Sequence, residues 1–134
     1  MNRDIYAGRL KLHGKEHGAT LLAACNYAAA FGVLQRFEEA KTRLRKWIPV
    51  ARRVLGDSDA LTIRMKLGYV MSLYKDPGAT LDDLCEAVTT LEDSQRIARR
   101  VFGGAHPLTV GIEGGLQEAR AVHGKRELMA RLAT

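Results

Sequence analysis

His13-Gly14-Lys15-Glu16-His17 spells H-x-x-E-H, a spacing that on one face of a continuous helix lets two histidines hold zinc beside a glutamate base. Gly14 falls where a helix should stop, so this segment reads as a turn and zinc chemistry is set aside. Cys25 and Cys85 are the only thiols. They share no spacing suited to a disulfide or a zinc site, and each lies on a mostly apolar helical stretch, as a core cysteine does. No Ser-His-Asp grouping and no phosphate-binding glycine loop occurs; Gly103-Gly104 and Gly114-Gly115 read as a turn and a small-residue helix face. The expectation is a protein that is not an enzyme and needs no metal or cofactor.

The chain has 134 residues, 46% hydrophobic and 27% charged, with 21 Lys+Arg against 15 Asp+Glu and a net charge of +6. That is the length of one domain, here taken as 1–134, with the composition of an ordinary globular chain. The most apolar stretch, Ala19 to Leu34, is too short and too rich in alanine to span a bilayer. No basic segment followed by an apolar one opens the chain, so a secretory signal is not expected. The expected location is cytoplasmic, in a reducing intracellular compartment.

The elements that would position any site repeat along the chain. Ala51-Arg52-Arg53-Val54-Leu55-Gly56 returns as Ala98-Arg99-Arg100-Val101-Phe102-Gly103. After Gly14, Gly56 and Gly103 the same pattern follows: a polar residue three positions on (His17, Asp59, His106), then Thr20, Thr62 or Thr109, then an aliphatic residue. The unit is about forty residues, the range of helical repeats. It predicts a glycine in left-handed conformation ending one helix, then an N-cap opening the next, with Pro107 at a first helical position. Units are placed at 14–55, 56–102 and 103–133, with residues 4–12 as the tail of a preceding helix. Within unit one, Phe37, Ala40, Leu44, Trp47, Ile48, Ala51 and Leu55 form one buried helical stripe. Lys41, Arg43, Arg45, Lys46, Arg52 and Arg53 are read as a solvated basic face. In unit two, Lys75-Asp76-Pro77-Gly78-Ala79 lengthens the loop, and Thr80-Leu81-Asp82-Asp83 carries the spacing of a capping box. In unit three, Gly124-Lys125 is expected to open a short final helix to about Leu132. No stretch alternates long enough to make a strand. The fold class is all-α, with about six helices.

These units resemble the longer tetratricopeptide repeat (TPR) of kinesin light chains and their relatives. The resemblance rests on Asn26-Tyr27-Ala28, Arg36-Phe37-Glu38-Glu39-Ala40 and Arg53-Val54-Leu55-Gly56, with Tyr69, Leu84, Glu86-Ala87 and His106-Pro107 in the later units. It implies a right-handed superhelix of antiparallel helix pairs, first helices lining a concave face that holds a peptide of a protein partner. In that family paired asparagines clamp the peptide backbone; here Asn26 stands at one such position, with Gly68 and Gly115 at its equivalents. The candidate binding residues are Leu22, Asn26, Arg64, Met71 and Glu118.

Trp47, the only tryptophan, has two readings: a core filler beside Ala24, Ala28 and Ala29, or an exposed anchor for a partner. The basic excess invites RNA on the convex helix 37–55. Against it, Glu38, Glu39, Glu86, Glu92 and Asp93 share the second helices, and no aromatic residue interleaves with the basic ones. Ile5, Tyr6, Leu10 and Leu12 in the opening helix, and Leu128, Met129 and Leu132 in the closing one, would stay uncovered and favour self-association. The expected function is therefore a non-catalytic scaffold for a protein or peptide partner. A self-assembling repeat unit is the alternative, then RNA binding.

Overall fold

Three helix junctions are built from one local device. Gly14, Gly56 and Gly103 each end a helix at positive φ (81°, 92° and 84°), and their N–H groups donate to the carbonyls of Leu10, Arg52 and Arg99. Their ψ values of 170°, 161° and 164° lie outside the left-handed helical basin expected from the sequence, in a region that only glycine enters. Three residues on, the N-caps form as the spacing predicts. His17 Nδ1 accepts from the Ala19 N–H at 3.0 Å, Asp59 Oδ1 from Leu61 at 2.9 Å, and His106 Nδ1 from Leu108 at 3.1 Å. The repeated threonine then ties the new helix to the one before it. Thr20 Oγ1 donates to the Arg9 carbonyl at 3.0 Å, and Thr62 Oγ1 to the Ala51 carbonyl at 3.4 Å. Thr109, their counterpart, is fully buried with its hydroxyl unpartnered.

The computed structural model describes residues 1–134 and contains six helices and no strand. They are α1 (Asn2–His13), α2 (Gly18–Val33), α3 (Phe37–Leu55), α4 (Ala60–Tyr74), α5 (Leu81–Phe102) and α6 (Pro107–Leu132). Each helix packs on its neighbour in sequence, and α4 also packs on α2 and α6. The backbones of α1, α3 and α5 do not adjoin one another, but Tyr6 of α1 meets Trp47 of α3 ring to ring at 4.9 Å. One core runs through the molecule, including Leu21, Leu44, Ile63, Leu73, Leu84, Leu91, Ile112 and Leu116. The stripe read on α3 is buried at Ala40, Leu44, Trp47 and Ala51 and half-buried at Phe37, Ile48 and Leu55. The capping box at Thr80 and Asp83 forms reciprocally, at 3.1 Å and 3.0 Å. The helix α1 buries no residue; its Tyr6 leans on the core.

Two expectations are corrected. Gly124 does not divide the last unit: α6 is one helix of 26 residues, so the third unit is a single helix and not a hairpin. An interior glycine costs only about 1 kcal/mol relative to alanine, and the half-buried Val122 packs against the core beside it. Arg126, one turn further, donates to the carbonyls of Ala79 and Pro77 at 2.5 Å and 2.8 Å. Those contacts tie α6 to the inserted loop just beyond the glycine. Lys41 is not solvated either. It is 5% exposed, paired with Glu38 at 2.7 Å and within 3.8 Å of Asp76. Asp76 belongs to the inserted loop of unit two, which adds a second partner charge to the one Glu38 supplies for the buried ammonium.

Candidate functional site

The five residues chosen from the sequence lie on the three helices that stack on one another. Leu22 and Asn26 on α2, Arg64 on α4 and Glu118 on α6 are exposed, and Met71 on α4 is half-buried against the core. Leu22 is 46% exposed, one helical turn from the exposed amide of Asn26. No hydrogen bond or ion pair joins any two of the five. Arg64 is free of carboxylates, and its charge acts on Cys25, whose thiol is pushed up by burial against the pull of that guanidinium. Glu118 accepts from the Tyr74 hydroxyl at 3.1 Å. Burial, with the Glu118 charge beside it, holds that phenol far above its ordinary value. Tyr74 is thus a partner of the site that sequence reasoning missed; its place at the end of α4 gave no signal of a contact with α6.

Small residues widen this surface. Ala29 on α2 and Gly111 and Gly114 on α6 are exposed between the longer side chains, and a methyl group built on Gly114 would meet nothing within 4 Å. A segment laid across the three helices would therefore meet a low, mixed surface with one free cation.

A cleft of about 600 Å³ includes Tyr74 and Glu118 in its lining; two others lie elsewhere, along α1 and α3 and along α3 and α5. A groove of about 780 Å³ between α1 and α3 includes Tyr6, Leu10, Leu21, Ala24, Trp47 and Val50 in its lining. A second, of about 630 Å³, runs between α3 and α5 over α4. Leu22, Asn26, Arg64 and Met71 line neither groove.

Trp47 is 8% exposed, its ring 4.9 Å from Tyr6 and 6.1 Å from Tyr27, so most of its surface serves packing and the exposed-anchor reading loses its premise. Ala24 and Ala28 lie buried in the same core, whereas Ala29 faces solvent. The basic and aromatic residues, separate along the sequence, meet in space. The Arg43 guanidinium lies 5.0 Å from the Tyr27 ring centre and 5.1 Å from that of Phe31. Arg45 lies 5.6 Å from that of Tyr69. Arg45 Nε also donates to the Tyr69 hydroxyl at 3.1 Å, which in turn donates to Glu86 at 2.6 Å.

The histidines and glutamate of the H-x-x-E-H segment take part in local structure. The rings of His13 and His17 stack at 4.3 Å, His17 caps α2, and Glu16 pairs with Arg53. Cys25 is buried as expected, but Cys85 is exposed, since it falls on the outer side of α5. No helix is long and apolar enough to cross a membrane. No protein-family model matches the sequence, and neither a curated protein nor a solved structure matches the chain.

Proposed function

We propose that the chain is a non-catalytic interaction module, a TPR-like superhelix of helix pairs that binds a peptide segment of a cytoplasmic partner protein across α2, α4 and α6. The observation that carries this reading is the unpaired, exposed row formed by Leu22, Asn26 and Arg64 with Met71 and Glu118 beside them. It offers apolar contact, a backbone-bonding amide and one uncompensated cation, which together suit an extended segment with an acidic residue. Repeat architecture supports the same reading, because stacked helices spread their side chains over a long surface.

The test is selection of peptides from a displayed library against the immobilised chain, followed by affinity measurement with Arg64→Glu. Reversing a free interfacial cation should weaken an acidic peptide by about 1 kcal/mol or more. Unchanged affinity would move the binding surface off these helices.

A second reading, self-assembly, draws on the exposed Leu128, Met129 and Leu132 at the end of α6 and Leu12 in α1. The repeat register speaks against assembly by further stacking on the body of α6. Where α2 and α4 bury Ala28 and Val70, and Phe31 and Leu73, α6 exposes Gln117 and Arg120. A further hairpin packed as the earlier ones are would bury those polar groups. Mass in solution decides: a monomer at micromolar concentration removes this reading, and Leu128→Asp dissociating an oligomer would support it.

A further inference from the structure

The groove between α3 and α5 is lined mostly by charged and polar side chains. Five cations line it, Arg45 and Arg52 from α3, Lys66 from α4, and Arg96 and Arg100 from α5, against two carboxylates, Asp57 and Asp93. The pairing leaves a surplus. Asp57 is shared by Arg52 at 2.8 Å and Lys66 at 3.1 Å, and Asp93 serves Arg96. Arg45 reaches a carboxylate only through the Tyr69 hydroxyl, and Arg100 makes no ion pair. The repeat explains why Arg100 is free. Its counterpart one unit earlier, Arg53, pairs with Glu16; the position equivalent to Glu16 in the second unit is Ser58. The groove also carries hydroxyls at Thr90 and Ser94, and Ser94 is a buried polar residue on α5.

We infer that this groove is an anion site that takes the phosphoryl group of a phosphorylated protein segment. A phosphoryl group brings close to two charges and three strong acceptors, and guanidinium groups with hydroxyl donors match it better than they match a single carboxylate. The cleft, at about 630 Å³, has room for a phosphorylated side chain and its neighbours. Nucleic acid is the less suited source of phosphate, because the one aromatic ring of the groove, Tyr69, is buried with Arg45 across its face. No ring is left free to stack on a base. The site is separate from the α2, α4 and α6 surface and stands or falls independently of it.

The experiment uses the full chain, with fluorescence anisotropy against a degenerate peptide library carrying a fixed central phosphoserine and against the same library with serine. Arg100→Glu tests the groove. Lys125→Glu, an exposed site on α6, makes the same change in net charge elsewhere, and circular dichroism checks that both variants fold. The expected result is phosphorylated peptides bound roughly tenfold or more tighter than the unphosphorylated ones, a loss of about tenfold with Arg100→Glu, and less than about twofold with Lys125→Glu. Competition by inorganic phosphate would be consistent with a phosphoryl subsite. Equal binding of the two libraries overturns the proposal, as do equal losses from the two variants. Loss with Arg64→Glu but not with Arg100→Glu overturns it in favour of the α2, α4 and α6 surface. Tighter binding of an oligouridine than of any phosphopeptide, abolished by Arg100→Glu, overturns it in favour of a nucleic-acid interface.

Discussion

Replacing the repeated threonine by valine should have opposite consequences at equivalent positions of one protein. Thr20 and Thr62 donate to backbone carbonyls at 3.0 Å and 3.4 Å, while the buried Thr109 hydroxyl has no partner. Valine keeps the shape and the β-branch, so helix propensity and packing change little. At Thr20 the exchange removes a well-formed hydrogen bond, a loss of about 1 kcal/mol. At Thr62 the bond is at the edge of hydrogen-bonding distance, and the loss should be roughly half as large. At Thr109 the exchange removes a desolvated, unpaired hydroxyl whose burial costs about 1–3 kcal/mol, so the valine variant should be more stable by about 1 kcal/mol or more. In a chain of this size, 1 kcal/mol corresponds to a change in Tm of roughly 3–6 °C. Thermal and urea unfolding of the three single variants should therefore place Thr20→Val below the parent, Thr62→Val slightly below it, and Thr109→Val above it. If Thr109→Val destabilises as much as Thr20→Val, the hydroxyl is bonded in solution, through the same junction contact as in the other two units. The argument from an unpaired buried donor would then be refuted.

Two further perturbations follow from local geometry and charge. Gln35, two residues past the end of α2, sits at φ 59°, in the left-handed region where a side chain costs about 1 kcal/mol; Gln35→Gly should raise stability by up to about that amount in urea unfolding, and a loss would show that the side chain contributes contacts that outweigh the strain. The Asp83 carboxyl is held below its ordinary value, first by the Thr80 backbone N–H and then by the Thr80 side chain, and Asp57 is lowered by its bond to Lys66 and by the Lys66 and Arg52 charges. A depressed folded pKa adds stability that is complete above the unfolded value, about 4, and is lost as pH falls through the folded value. Unfolding free energy should thus decline below about pH 4, and Asp83→Asn should flatten that decline; an unaltered acid profile in the variant would remove Asp83 from the account.

The repeat register, the three N-caps, the ends of five helices and the stripe on α3 were legible in the sequence because each depends on groups a few residues apart. A glycine at positive φ, a side chain accepting from the N–H two residues on, and an apolar period of three and four are all short-range physics. The candidate surface was legible only as a face. Asn26 and Arg64 could be placed on first helices by counting, but the bond from Tyr74 to Glu118 joins α4 to α6, and no spacing rule predicts it. The α3–α5 groove was hidden in the same way. Its cations are spread over three helices, and whether each is neutralised depends on a carboxylate brought from another turn.

By itself, then, the sequence determined an all-helical chain of repeated junctions, since helix, cap and turn preferences are decided within one or two turns of backbone. The tertiary structure alone decided which charges are buried and which helices continue. Lys41 is buried between Glu38, three residues before it, and Asp76, which a loop more than thirty residues later brings within 3.8 Å. The last helix crosses Gly124, and just beyond it Arg126 reaches the carbonyls of Pro77 and Ala79. Trp47 is largely covered because α1 sets Tyr6 against it. In each case a group distant in sequence takes part, and only the packed fold brings it within reach.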